Sequence, residues 1–435
     1  LTSAAASAGQ RGGSRGLLIP ASRISAAALW VAVFLGGFVI REPAPYELYM
    51  TGLLVLWLLF GLRLRPEFGP LTVLLILFMA GGTMAVPFAR DVPTAAMYMA
   101  VSGFLAATAI FYAAVISNDP DRLQIIGRAY AASAFLCALT GIAAYFRLFP
   151  GSEFFTLYGR ARGTFADPNV FGPFLVLPTV LLVQRMLTRG LFASPSALVI
   201  LPVLVMGIFL SFSRGAWGLL AFAAIAVYLL TLIQERRPHE RLRLVLLGAA
   251  GIAAVLLLLL AAQSIDSVAA MFSERAKLVQ DYDGARLGRF ARYGMGFAMV
   301  MEHPFGLGPL EFRHYFPEDE HNVYLKAFTS YGWLGGVVYP LLVLWTIAAM
   351  VPLLFRHRPW TGFAHCVFAV LAGHALMSVI IDIDHWRHYF LLLGLAWGLI
   401  AIHKLEQKQR TVDLNARQVL RRAKEADRES PVVGQ

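Results

Sequence analysis

With 435 residues, 58% of them hydrophobic and only 14% charged, the chain falls far short of the roughly 25% charge of an ordinary soluble domain. Apolar runs near 20 residues, the length that crosses a bilayer as a helix, recur along it and exclude a soluble bundle with polar outer faces. The net charge of +11 calls for no nucleic acid, because the placement of basic residues about a membrane accounts for it.

The spans predicted in chain order are 24–40, 46–62, 69–88, 95–116, 126–146, 168–187, 193–211, 214–233, 244–262, 328–354, 361–381 and 386–403. The expected fold is therefore an all-α polytopic membrane protein of about twelve transmembrane helices. Both ends of the chain then share one side. Most of the 37 Lys and Arg fall on that side, in short loops such as those carrying Arg63, Arg122, Arg185 and Arg236, so it reads as cytoplasmic. Residues 1–22 read as a polar, disordered N-terminus with no cleavable leader. Residues 23–403 form one membrane domain, and 404–435 a cytoplasmic tail. Cys137 and Cys366 lie inside spans and read as packing residues. The spans carry almost no charge, which argues against a transporter with ionisable groups at mid-membrane.

Polar chemistry gathers on the opposite face. The first cluster runs Arg160-Ala-Arg-Gly-Thr-Phe-Ala-Asp-Pro-Asn169. Asp167 before Pro168 is an N-cap signature, and a helix N-terminus beside Arg160 and Arg162 suits a phosphate. A capped helix with snorkelling arginines explains the same residues. The second is Ser211-Phe-Ser-Arg-Gly215, where Arg214 sits at the outer rim against the orientation rule. The third is the large loop between spans nine and ten, about 263–327. It carries Arg286, Arg289 and Arg292 three apart, a stripe if helical, then a breaker at 304–308. It closes on Glu318, Asp319, Glu320, His321 and Asn322. A neutral imidazole there accepts a proton from a sugar hydroxyl, and the neighbouring acids orient it, raise its pKa or merely solvate the loop. These acids with His314 match no metal-ligand spacing, so no metal and no cofactor are expected. The fourth is Asp382-Ile-Asp-His-Trp-Arg-His388, in which Asp382 or Asp384 is expected to pair with a rim arginine and Trp386 to anchor at the interface. Arginines, a histidine and carboxylates on one face of a lipid-embedded bundle point to a phosphate-bearing lipid headgroup.

These motifs, in this order, resemble the bacterial O-antigen ligase and polymerase superfamily. The resemblance rests on Arg160/Arg162 through Asn169, Ser211–Gly215, the His-Asn-x-Tyr of His321–Tyr324 and Gly332-Trp-Leu-Gly335. It implies a GT-C-like, metal-independent inverting glycosyltransferase of the bacterial inner membrane with a periplasmic catalytic loop. Such an enzyme takes a glycan from undecaprenyl pyrophosphate to lipid A-core. The alternative is a polymerase joining lipid-linked repeat units, and a polyprenyl-glycan transporter is the reading from another class. By the same resemblance His321 is the base. Arg160, Arg162, Arg214, Arg286 and Arg289 hold the donor pyrophosphate, with Arg292 a substitute among the loop arginines. Asn322, Tyr324, Asp382 and Asp384 support them. The implied partners are the undecaprenyl-pyrophosphate-linked glycan, its acceptor and membrane lipids, with no nucleic acid.

Overall fold

The computed structural model describes residues 21–60, 64–190, 195–275 and 288–429. The expected disordered N-terminus and Arg286 therefore lie wholly or mainly outside the described residues. Helices α1 (Ala21–Leu35), α2 (Pro45–Leu59), α3 (Gly69–Ala85), α4 (Val92–Asn118) and α5 (Arg122–Tyr145) come first. A small hairpin of β1 (Thr156–Leu157) and β2 (Arg160–Ala161) precedes α6 (Pro168–Phe174), α7 (Val176–Arg189), α8 (Pro195–Leu210), α9 (Arg214–Gln234) and α10 (Pro238–Gln263). The polar segment that follows holds α11 (Asp266–Arg275) and α12 (Arg289–Met301). The last helices are α13 (Val323–Leu354), α14 (Thr361–Met377) and α15 (Arg387–Glu429).

Among the described residues, 8 helical stretches are long and apolar enough to cross a membrane. Four shorter apolar helices, α1, α2, α8 and α14, occupy the remaining expected spans. Two expected outlines change. The stretch read as the sixth span is α6 followed by α7, because Pro178 has no amide hydrogen for the Phe174 carbonyl. The last span does not end before the tail, for α15 runs unbroken to Glu429. The environment of the helices differs sharply. Only 6% of the apolar window of α10 is buried, against 89% of that in α15. A helix apolar on every side with almost no protein around it requires lipid.

Helix α15 packs along α4, α3 along α13, and α14 along α9. Small residues permit the close crossings. A Cβ on Gly394 would stand 2.7 Å from the Ala109 carbonyl, and one on Gly81 2.5 Å from that of Tyr331, so bare backbones meet there and gain dispersion contacts.

Contacts among the connections mark two ends of the bundle. One end brings Arg387 to Glu42 and Glu47, Arg90 to Glu311, and the Val323 amide to the Ser378 carbonyl. The other joins Arg65 to Asn118, Arg243 to the Leu187 carbonyl and Trp360 to Glu406.

Candidate active site

At the first of these ends, Asn322 caps α13, its side-chain oxygen accepting the Leu325 amide at 3.0 Å, as asparagine does before a helix. His321, one residue earlier, has φ 47°. That left-handed conformation costs a non-glycine residue roughly 1–2 kcal/mol. Tertiary bonds hold it: the Tyr293 hydroxyl donates to the His321 carbonyl at 2.9 Å, and the Val323 amide to the Ser378 carbonyl at 2.9 Å. Strain overdetermined by its surroundings in this way fixes the side chain's direction. The imidazole is 38% exposed, with Nδ1 3.9 Å from Asp382 Oδ2. That separation exceeds a hydrogen bond but leaves the carboxylate as the nearest charge.

Behind it lies a buried ionic cluster. Lys326 Nζ stands 3.5 Å from Asp382 Oδ2 and 3.7 Å from Asp384 Oδ1. The Tyr98 hydroxyl donates to the other Asp384 oxygen. Ser102 Oγ lies 2.8 Å from the Tyr331 hydroxyl and 2.7 Å from His385 Nε2. Glu320 is buried and accepts from the Thr329 hydroxyl. Burial pushes the Glu320 carboxyl up to about 7; Lys326 opposes the rise and Asp382 adds to it. Burial raises Asp382 as well, again against Lys326. At Asp384 burial is outweighed by Lys326, His385 and the Tyr98 donor, so its carboxyl falls below the usual range. Three carboxyl groups thus share one lysine, and Asp382 Oδ1 is buried without a hydrogen bond. The cluster presents residual negative charge to the imidazole.

The arginines approach from the other side. Ser213 caps α9 by accepting the Ala216 amide at 3.4 Å, which puts Arg214 in the first helical position. Arg160 is buried and reaches the same turn, its Nε donating to the Ser211 carbonyl at 2.8 Å and its Nη2 to Asn169 at 2.8 Å. Asp167 caps α6 through the Asn169 amide at 2.7 Å, as its place before Pro168 predicts. Gly215 lies against Met377, whose sulfur would be 3.2 Å from a Cβ there. Met377 ends α14, next to the Ser378 that binds Val323, and Arg289 Nη1 donates to the Ile380 carbonyl at 3.4 Å. The structure therefore gathers His321, Asn322, Asp382, Asp384, Arg160, Arg214 and Arg289 around the same end of α14. Tyr324 ties α13 to α14 through the Ala375 carbonyl at 2.8 Å.

Two arginines stand apart. Arg162 bonds the Phe154 carbonyl twice, at 3.2 and 2.8 Å, and the Ala166 carbonyl at 3.1 Å, stitching its own loop. Arg292 is buried against Glu318 at 2.6 Å. Two expectations are corrected. Asp382 and Asp384 pair with Lys326 rather than an arginine, because Arg387 is engaged by Glu42 and Glu47. Glu318 and Asp319, whose role the sequence left open, face Arg292 and Arg313. Trp386 is buried, with its ring 5.1 Å from that of His388, rather than lying at an interface. Lys326 and Tyr98 escaped the sequence reading. The signal for Lys326 was present: a lysine four residues after a helix cap, at the head of an apolar run, is costly unless paired.

Residues 197–339 match the family model described as O-antigen ligase. None of the curated proteins compared with the chain matches it. The matched stretch starts within α8, passes through the Arg214 turn, α12 and the His321 turn, and ends within α13. The chain is a multi-pass helical membrane protein, and the stretch that holds its arginine and histidine turns is similar to the O-antigen ligase family.

Proposed function

We propose that the chain is an inverting, metal-independent glycosyltransferase that moves a glycan from a polyprenyl pyrophosphate, undecaprenyl in bacteria, to lipid A-core. The observation that carries this reading is His321, held in a strained turn with Nδ1 toward Asp382. The carboxylate favours the tautomer with its proton on Nδ1, which leaves Nε2 to take the acceptor's hydroxyl proton. The hydroxyl oxygen then bonds the anomeric carbon as the bond from that carbon to pyrophosphate breaks. The departing oxygen keeps the electron pair. Arg160, Arg214 and Arg289, with Arg286 from the same loop, would stabilise that growing charge, and such electrostatic help is most effective where charge develops. In this reading the His321 end faces the periplasm of the inner membrane and both chain ends are cytoplasmic.

The test is transfer in liposomes without added metal, using labelled undecaprenyl-pyrophosphate glycan and lipid A-core. Label on lipid A-core supports a ligase. Longer glycans still on undecaprenyl pyrophosphate support a polymerase instead, and neither product sinks the transferase reading. His321→Ala should slow transfer by about 10²–10⁴-fold with donor retention intact; wild-type rates would remove it as the base.

A further inference from the structure

A cavity lies at the opposite end of the bundle from His321. It measures about 760 Å³ and opens between α5, α7, α8 and the start of α14. Arg128, Arg185 and Arg189 line it. Among the described residues none of the three has a hydrogen-bonding or ion-pair partner for its guanidinium. Their neighbours at this end behave differently: Arg122 pairs with Asp119 at 3.2 Å, Arg243 with Glu240 at 2.7 Å and Arg358 with Glu406 at 3.0 Å. Among the described residues Asp121 is the one carboxylate on the wall and leaves a positive excess. The floor is apolar, with Leu181 and Ile200. His365 is buried there with Nδ1 lacking a hydrogen bond.

We propose that this cavity binds the phosphate of an anionic membrane phospholipid. Guanidinium forks match phosphate oxygens in geometry as well as charge. Basic recesses between spanning helices are where acidic headgroups bind. Free phosphate would answer the arginines but leave the apolar floor wet, whereas a phospholipid covers both with one molecule. A solvated positive face, the plainer account of basic residues at a helix end, needs neither a cavity nor an apolar floor.

The experiment uses the full chain in neutral detergent, with native mass spectrometry reading the lipid retained. The probes are phosphatidylglycerol, phosphatidylcholine with the same acyl chains, and inorganic phosphate. Phosphatidylglycerol should be retained selectively, and millimolar phosphate should not displace it. Each single Arg→Gln change at 128, 185 or 189 should weaken retention about five-fold, and the triple change about a hundred-fold. Arg236→Gln with Arg237→Gln, cations at this end outside the cavity, should leave it unchanged. Ile200→Trp, which fills the floor without altering charge, should weaken it and so keeps the proposal testable if the triple variant fails to fold. Equal retention of the two lipids, or an equal loss in the Arg236/Arg237 variant, overturns the site. Displacement by inorganic phosphate overturns the lipid.

Discussion

Replacing Lys326 with methionine removes the cation that stands between buried Asp384 and half-buried Asp382 while keeping most of the side-chain volume. At 3.5 and 3.7 Å and an effective dielectric of about 20, each contact is worth roughly 4–5 kcal/mol of Coulomb energy. Taking the ammonium out of water cancels much of that sum. The expected loss is the about 3–5 kcal/mol that follows from leaving a buried charge without its partner. In a chain of this size that lowers the apparent melting temperature by roughly 3–5 °C, readable by intrinsic fluorescence in detergent. Adding Asp384→Asn should restore part of the loss, because it removes one of the orphaned charges. Transfer should fall more than stability, since Asp382 would no longer be held opposite His321. A Lys326→Met protein melting within 1 °C of wild type would refute the pairing, as would a double variant no more stable than the single.

Three further perturbations probe other parts of the site. Glu320 rises on folding from the usual 4.5 to about 7, so between those values the folded chain binds the extra proton and stability declines as pH rises. Glu320→Gln should flatten that decline, worth about 3 kcal/mol at most, in melts compared between pH 5 and 7.5; parallel wild-type and variant curves would reject it. Gly332 has φ 65° and ψ −172° inside α13, a region essentially closed to other residues, and a Cβ would stand 2.8 Å from the Pro304 carbonyl. Gly332→Ala should cost more than about 3 kcal/mol and lower the yield of folded protein, and an unchanged melt would contradict the geometry. Arg292→Met leaves behind only a half-exposed Glu318, so it should change stability by under about 1 kcal/mol and donor binding by less than two-fold. Arg289→Ala should weaken donor binding about ten-fold; a reversal of the two would exchange their roles.

Local signals carried much of this arrangement. Asp167, Ser213 and Asn322 each precede a helix and each caps it, because capping depends on residues two or three apart. The head of α9 placed Arg214 for the same reason. Partners far apart in sequence left no such trace. Lys326 and Asp382 are 56 residues apart and Tyr98 and Asp384 are 286 apart, and the packing of α13 and α4 against the 378–386 turn joins them. The three-residue spacing of the loop arginines placed Arg289 and Arg292 on one helix. It could not tell that Arg292 turns to Glu318 while Arg289 turns to Ile380, since that depends on what α12 lies against. Hydropathy likewise passed over Gly332, because a helix can break without any polar residue when another segment satisfies its backbone.

That other segment is the 304–308 loop. The Leu307 and Gly308 amides both donate to the Thr329 carbonyl, at 2.7 and 3.1 Å, and the Trp333 amide donates to Pro304 at 2.9 Å. The two sides of the interruption in α13 are thus bridged by a strand of chain from the polar segment itself, which Arg292 pins again at Glu318. A panel fastened along two edges does not swing like a door, because lifting it would expose backbone groups that have no water to turn to. The panel is therefore a fixed wall over the head of α13 rather than a lid.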